Sequence, residues 1–436
     1  MLANNGQYFV IKTILGANMS LKFNPFRPNT MVHPEMFRGR YRELIALEKA
    51  IFQTKNGNPH HFIIEGERGI GKSSLMLYLD FIARGELHFL SEKNFKPNFL
   101  VITVELTTDV GMVDIVQKVA EGFKLKVMRK EVLKQRAKAV WEFLINWEVL
   151  GVKYNKDENV LDPILILDNL CEQIASLLQS EAKKNTNTEP AIDGILVLID
   201  EADKPAASAH LGEFSKLFTE KLIRLNCNNV SLGLAGQSSL LQKLKESHES
   251  SPRIFTIYTL EPLANKDILD ILEAGVKEAN AKNEKETHLA PEAPNLLVEL
   301  SEGYPHFVQQ FAYSAFEVDT DYYLTKDDIL GGAYGPNGAL EQLGKKFFQQ
   351  QYFEQIGSED YRKVLQVMSE HSDKWVSRSD ILSMSGLKDH TINNAIQALK
   401  AKGIIIVNEQ SKGSYKLPSK SFAAWIKALN HTPAKN

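Results

Sequence analysis

Apolar residues in this chain fall into two kinds of pattern, and their alternation predicts the architecture. Short continuous runs occur at Phe62-Ile63-Ile64, across Asn98–Leu106, at Ile195–Ile199 and across Val230–Ala235. Runs of this length, rich in β-branched residues, read as strands buried on both faces, as in a parallel sheet. Between them the apolar positions recur with helical spacing: Tyr41–Phe52, the segment after the first strand, Met112–Phe123, Val127–Leu150, Asp162–Ser180 and Gly212–Leu225. Strands alternating with helices predict an α/β core. From Asn265 the pattern is helical throughout, with helices expected over Asp267–Asn280 and Pro291–Glu302 and a third opening at Gly303-Tyr304-Pro305.

The last part has a different logic. Asp360–His371 reads as a helix, and Ser377–Met384 as a short one capped by Ser377, followed by a tight turn at Gly386. Asp389–Lys402 places Ile392, Ala395, Ile396 and Leu399 on one face and ends at Gly403. Ile404–Glu409 and Ser414–Leu417 then flank Ser411-Lys412-Gly413 as a hairpin. This order predicts a winged helix-turn-helix. Polar or proline-bearing stretches at 20–35, 151–160 and 181–190 read as an extended arm and two loops.

Candidate chemistry sits where two of the strands end. After Phe62-Ile63-Ile64 comes Gly66-Glu67-Arg68-Gly69-Ile70-Gly71-Lys72-Ser73, which fits G-x-x-x-x-G-K-[ST] without a mismatch. Its glycines let backbone N–H groups close around a polyphosphate, at the positive end of the following helix. Residues 66–74, Ser74 included, form the candidate nucleotide cradle. Lys72 is expected to reach the β- and γ-phosphates and Ser73 to join a Mg²⁺ shell. The run Gly194–Ile199 ends in Asp200-Glu201, at the sheet edge where ligands bind in such folds. Asp200 is the second candidate Mg²⁺ residue, and Glu201 the candidate general base for an attacking water. Val230–Gly236 ends in Gln237; the resemblance to additional-strand ATPases, where a polar residue at this strand end contacts the γ-phosphate or the attacking water, makes Gln237 the candidate for that contact, and a plain Gly-Gln turn is the competing reading. The segment that runs from Arg253 into the strand Ile254–Leu260 resembles one in Cdc6-like proteins, and that resemblance makes Arg253 a candidate for stabilising transition-state charge, in competition with Arg224 and with simple surface placement.

Four further segments extend the motifs. Phe37-Arg38-Gly39-Arg40-Tyr41-Arg42-Glu43-Leu44 resembles the F-x-G-R-x-x-E-L box of the origin-recognition/Cdc6-like and STAND branches of the P-loop ATPases. Arg253 followed by a strand and Leu260-Glu261-Pro262-Leu263 resembles the Cdc6-like segment whose arginine can project into a neighbouring subunit. Gly303-Tyr304-Pro305 resembles the G-x-P motif of STAND and archaeal-type ATPases; no sensor-2 arginine is visible and His306 stands nearby instead. Tyr415–Ser419 and Trp425-Ile426 resemble the end of an archaeal-type winged helix. Over roughly residues 20–430 the chain therefore resembles an origin-recognition/Cdc6-like AAA+ or archaeal-type/STAND ATPase.

The resemblance implies a three-layer α/β/α core with a parallel sheet and the P-loop strand beside the Asp-Glu strand, then a helical lid and the winged helix. It also implies ATP and Mg²⁺ as ligands and places Arg40 and Pro305 beside the nucleotide. The expected divisions are an arm over 1–35, a core over 36–262 with a helical insertion at about 124–190, a lid over 263–350 and a winged helix over 355–436. The leading functional expectation is an ATP-driven switch that assembles with copies of itself or acts through a separate effector, in prokaryotic genome defence or mobile-element control. The alternative is a DNA-binding ATPase, a replication initiator, loader or transposition regulator. A third reading keeps the nucleotide as a structural cofactor without turnover.

Composition changes this picture little. The 436 residues exceed one core, and 43% hydrophobic with 24% charged residues is ordinary for a soluble globular protein. Net charge is −3, yet residues 359–436 hold 12 Lys/Arg against 7 Asp/Glu, which fits contact with duplex DNA. The third helix of the winged module offers His390, Asn393, Asn394 and Gln397 and no arginine, so protein docking stands beside DNA binding. Two cysteines, Cys171 and Cys227, offer no metal cluster and suit a reducing, cytoplasmic setting. Tyr8–Ala17 is apolar but interrupted by Lys12, so neither a signal peptide nor a membrane span is expected; residues 1–18 read as a tail or a misassigned start at Met1 rather than Met19.

Overall fold

In the computed structural model, which describes residues 22–31, 37–89, 95–129, 162–182, 191–371, 374–408 and 411–431, the chain divides into two units. The expected tail over 1–18 and the helix over Val127–Leu150 beyond Arg129 lie outside the described residues, as does the loop at 151–160.

The first unit spans 29–267 with 303–306. It begins with helix α1 (Tyr41–Lys55), strand β1 (His61–Glu65) and helix α2 (Lys72–Ala83). There follow β2 (Phe99–Glu105), α3 (Met112–Arg129), α4 (Pro163–Ala182), β3 (Gly194–Asp200), α5 (Leu211–Arg224), β4 (Val230–Gly236), α6 (Ser239–Ser247) and β5 (Phe255–Thr259). All five strands run parallel, in the order β2-β3-β4-β1-β5.

Side-chain alternation along each strand sorts the core into two layers. Ile63, Leu100, Ile102, Ile195, Val197, Ile199, Leu232 and Leu234 face α3, α4, α5 and α6. Phe62, Ile64, Phe99, Val101, Leu196, Leu198 and Ala235 face α1 and α2. The expected three-layer α/β/α sandwich is thus present. Helix α4, inside the stretch expected as an insertion, buries Leu167, Leu170, Cys171, Ile174 and Leu177 in this core.

One expectation fails. The P-loop strand β1 is not beside the Asp-Glu strand β3, because β4 lies between them and pairs with both. Gly233 is the residue that lets it do so. A methyl group there would sit 2.3 Å from Phe62 Cζ and 3.0 Å from Leu198 Cδ2, one on each neighbouring strand.

The second unit holds 22–28, 268–302 and 307–431 among the described residues. Its helices α7 (Asn265–Lys282), α8 (Ala293–Ser301), α9 (Pro305–Val318) and α10 (Lys326–Tyr334) accompany a small parallel pair, β6 (His288–Leu289) with β7 (Tyr323–Leu324). The arm docks here as an extended segment. Phe26 is buried against Phe316, and Lys22 forms a 2.5 Å ion pair with the buried Asp319.

The winged module follows after α11 (Ala339–Leu343): α12 (Glu359–Ser369), β8 (Val376–Ser377), α13 (Arg378–Ser385), α14 (Asp389–Ala401), β9 (Ile406–Val407), β10 (Ser414–Lys416) and α15 (Lys420–His431). Ser377 and Asp380 form a reciprocal capping box at the start of α13, and Gly386 and Gly403 take the left-handed conformations that end α13 and α14. Ile392, Ala395, Ile396 and Leu399 are buried as expected. The wing has three strands rather than two, because β8 pairs with β10. Among the described residues no helix is long and apolar enough to cross a membrane.

Candidate nucleotide site

Parallel strands bring β1, β3, β4 and β5 to one sheet edge with all their carboxyl ends together. The loop after β1 turns on Gly69 and Gly71, whose φ values of +81° and +102° an L side chain rarely adopts. Between them Ile70 is buried in the α1/α2 layer, which fixes the crest of the loop. Gly66 has no room for a side chain, since a methyl group would lie 2.9 Å from Ile70 Cγ2 and 3.1 Å from the Leu260 carbonyl oxygen. Glu67 and Arg68 are exposed, and Lys72 donates to the carbonyls of Gly66 (2.9 Å) and Glu67 (3.0 Å). Burial lowers the Lys72 ammonium below its ordinary pKa, against the opposing pull of Asp203, Glu201 and Asp200.

The two separate motifs meet directly. Ser73 Oγ donates to Asp200 Oδ2 at 2.6 Å, across 127 residues of sequence. A hydroxyl beside a carboxylate, with phosphate oxygens as further ligands, is the donor set a Mg²⁺ ion takes at a nucleotide, so these residues fit that ion. No cluster of three or more His, Cys, Asp or Glu suited to holding a metal by protein alone occurs among the described residues. Ser74 follows, half-buried, in the first turn of α2. Glu201 takes a left-handed conformation at φ +53°, and its amide donates to Asp200 Oδ1 at 2.8 Å. Its carboxylate lies 3.8 Å from Lys204, which also approaches Glu105 at the end of β2 at 3.6 Å.

Gln237 lies past the end of β4, exposed, with its side-chain Nε2 donating to Asp203 Oδ2 at 3.2 Å. Asp203 was not among the sequence candidates. It is the last residue of Asp200-Glu201-Ala202-Asp203; the sequence offered only a further acid close to the strand end, and its burial appears in the fold.

Gly303–His306 comes to the same loop. Tyr304 Oη donates to Glu67 Oε2, the His306 amide donates to the Gly69 carbonyl at 3.3 Å, and Pro305 lies within 3.7 Å of where a Gly71 side chain would start. Arg40 touches the loop from beneath. Its side chain is 7% exposed, and the guanidinium donates to the Ile70 carbonyl at 3.1 Å and has its pKa lowered by burial in spite of Glu43, Asp267 and Glu261. Arg253 is not brought together with these groups. It precedes β5 and is exposed at the opposite edge of the sheet. Arg224, the competing arginine, ends α5 and is 78% exposed.

A parallel α/β sheet with β4 between the P-loop strand and the Asp-Glu strand, and a Ser-Asp pair joining the two motifs, gives an arrangement that can hold a nucleotide's phosphates. No protein-family model matches the chain and no curated protein matches it. Among solved structures, it is similar to the Aeropyrum pernix ORC2 protein in its ADP form, at 15% identity and a TM-score of 0.49, covering 94% of this chain and 98% of that one. It is similar to CDC6P from Pyrobaculum aerophilum at 12% identity and 0.43, covering 94% and 98%. The Aeropyrum pernix ORC1 protein in complex with DNA matches at 15% and 0.39, covering 92% and 94%. At these identities and scores the residue assignments rest on the geometry above.

Proposed function

We propose that this protein is an ATP-hydrolysing switch that binds duplex DNA through its winged helix, in the manner of a replication initiator, loader or transposition regulator. The observation that carries the reading is the 2.6 Å hydrogen bond from Ser73 to Asp200, which joins the phosphate loop to the acidic strand end. Backbone N–H groups of 66–74 bind the phosphates, and Lys72 neutralises charge on the β- and γ-oxygens. Ser73 and Asp200 hold Mg²⁺, which supplies further charge neutralisation when bound. Glu201 takes a proton from water as its oxygen attacks the γ-phosphorus in line with the bond to the β–γ bridging oxygen; ADP leaves with that oxygen and phosphate is released.

DNA is preferred to an effector protein as the partner because of the surface of the module. Helix α14 exposes His390, Asn393, Asn394 and Gln397, and Lys388, Lys400, Lys402 and Lys412 are exposed around it. Arg378, from α13, donates to Asn393 Oδ1 at 2.7 Å and Asp389 Oδ1 at 2.6 Å. Its fork is thereby occupied, which favours phosphate contact over guanine reading. Arg253, facing away from its own phosphate loop, suits a role at a neighbouring copy's nucleotide. Neither a defence setting nor a separate effector has support from the site, and neither is part of this reading.

The test compares ATP turnover, ATP affinity and duplex DNA binding in the wild type, Glu201→Gln and a Lys400/Lys402/Lys412→Ala triple variant. Glu201→Gln is expected to bind ATP normally with turnover reduced by ~10²–10⁴. The triple variant is expected to bind DNA more weakly with a shallower salt dependence. Wild-type turnover in Glu201→Gln refutes the base, and DNA binding insensitive to salt or to the lysines refutes the partner.

A further inference from the structure

The acid that the proposed reaction leaves unused is Asp203. It is 6% exposed, three residues beyond Asp200, and it faces Gln237 across the ends of β3 and β4. Its position is held from three sides. The side chain lies against the backbone of Gly236, where a methyl group would sit 2.8 Å from Oδ1 and 3.1 Å from Cβ. Lys243, from α6, donates to the carbonyl of Asp203 and to that of Pro205 at 2.9 Å, which pins the turn that carries it. The neighbouring Ala202 amide donates to the Ala235 carbonyl at 2.8 Å, tying the same turn to β4. Oδ1 is buried without a hydrogen-bond partner. A buried carboxylate oxygen left in that state is unfavourable for folding, so its presence at a strand end calls for a use.

We infer that Asp203 is a positioning residue for Gln237, selecting the amide orientation in which Gln237 Oε1 faces the attacking water. The inference rests on the ATPase reading above and gives Gln237 a defined part in it. An ionised carboxylate only accepts hydrogen bonds, and a glutamine amide has one accepting and one donating end. The carboxylate therefore holds the Nε2 end, at 3.2 Å, and leaves Oε1 turned away as an acceptor. An acceptor there takes one O–H of the water while Glu201 takes the other proton, which orients a lone pair toward phosphorus. Replacing the carboxylate by an amide removes the selection, because an asparagine side chain can meet either end of Gln237 with a complementary atom. The small Gly236 is part of the device, since any side chain there displaces Asp203.

The experiment measures kcat and KM for ATP, and the dissociation constant of a fluorescent ATP analogue, in the wild type, Asp203→Asn, Gln237→Ala and the double variant. Thermal midpoints are recorded for each. Asp203→Asn is expected to lower kcat about tenfold with analogue affinity within twofold of the wild type. Gln237→Ala is expected to lower it at least as far, and the double variant no further than Gln237→Ala, because both changes remove one interaction. Multiplicative losses in the double variant, wild-type kcat in Asp203→Asn, or a loss of affinity matching the loss of kcat would each overturn the assignment. Should Asp203→Asn fail to fold, Gly236→Ala takes its place, with the same required non-additivity toward Gln237→Ala. A wild type that binds ATP without turning it over overturns the ATPase reading itself, whereas an active wild type with multiplicative losses overturns only the role of Asp203.

Discussion

Arg40 offers the sharpest test of how the phosphate loop is built. The resemblance that singled it out places this residue beside the adenine, whereas its guanidinium donates to the Ile70 carbonyl at the crest of the loop. Ile70 lies between two glycines in left-handed conformations, so the loop depends on contacts to hold it in one shape. Arg40→Ala removes a hydrogen bond from a charged donor and leaves a carbonyl without its partner. Arg40 is itself left-handed at φ +59°, but alanine carries the same backbone penalty, so that part cancels. Hydrogen bonds to charged groups contribute about 1.5–3 kcal/mol. The 7% exposure of the side chain means that water cannot readily replace the lost donor. Taking about 2 kcal/mol of loop order as needed for phosphate binding, the dissociation constant should rise roughly 30-fold.

Calorimetric titration with ATP, GTP and inorganic tripolyphosphate separates a brace from a base contact. A brace acts on the loop, so all three ligands should weaken by the same factor, and Arg40→Lys should recover only part of it because the planar fork is lost. A loss confined to ATP would mean that Arg40 reads the base. Unchanged affinity for all three would refute the idea that the Ile70 hydrogen bond preorganises the loop.

Two more outcomes follow from the sheet. Gly233→Ala places a methyl group 2.3 Å from Phe62 Cζ, so it should destabilise the first unit by about 1–3 kcal/mol in urea unfolding; Phe62→Leu in the same chain should recover part of the loss, and a neutral Gly233→Ala would disprove the close approach. His61 is buried, its Nδ1 accepts from the Leu232 amide at 3.1 Å, and burial, with a smaller push from His60, lowers its pKa to about 4. The folded protein thus resists a proton that the unfolded chain takes up near pH 6.5, so stability is complete above that pH and is lost as pH falls toward 4. The loss should approach about 3 kcal/mol, and His61→Gln should flatten it; a urea midpoint independent of pH between 6.5 and 4 in the wild type would contradict the assignment.

What the sequence disclosed, and what it withheld, divide along a physical line. Continuous apolar runs marked β1 to β4 and the spacing of Gly66 to Ser73 marked the loop, because burial and backbone freedom are properties of each segment alone. The capping box at Ser377 and the buried face of α14 were legible for the same reason. Strand order was not. Periodicity tells which face a residue shows and is silent on which strand lies next to it, so the place of β4 between β1 and β3 had to come from Gly233, a residue whose meaning is visible only once Phe62 and Leu198 flank it. Asp203 and Arg378 escaped in the same way, since each gains its role from a partner on another segment, Gln237 in one case and Asn393 with Asp389 in the other. The arm is the extreme example: Lys22 looks like any surface lysine until Asp319, 297 residues later, closes a part-buried ion pair with it, with the ammonium over the rings of Phe316 and Tyr322. Long-range polar pairs carry little local signature because the desolvation they offset exists only in the folded state. The same condition applies to the site, where Ser73 and Asp200 each matched a motif, yet only their 2.6 Å contact makes one site of two.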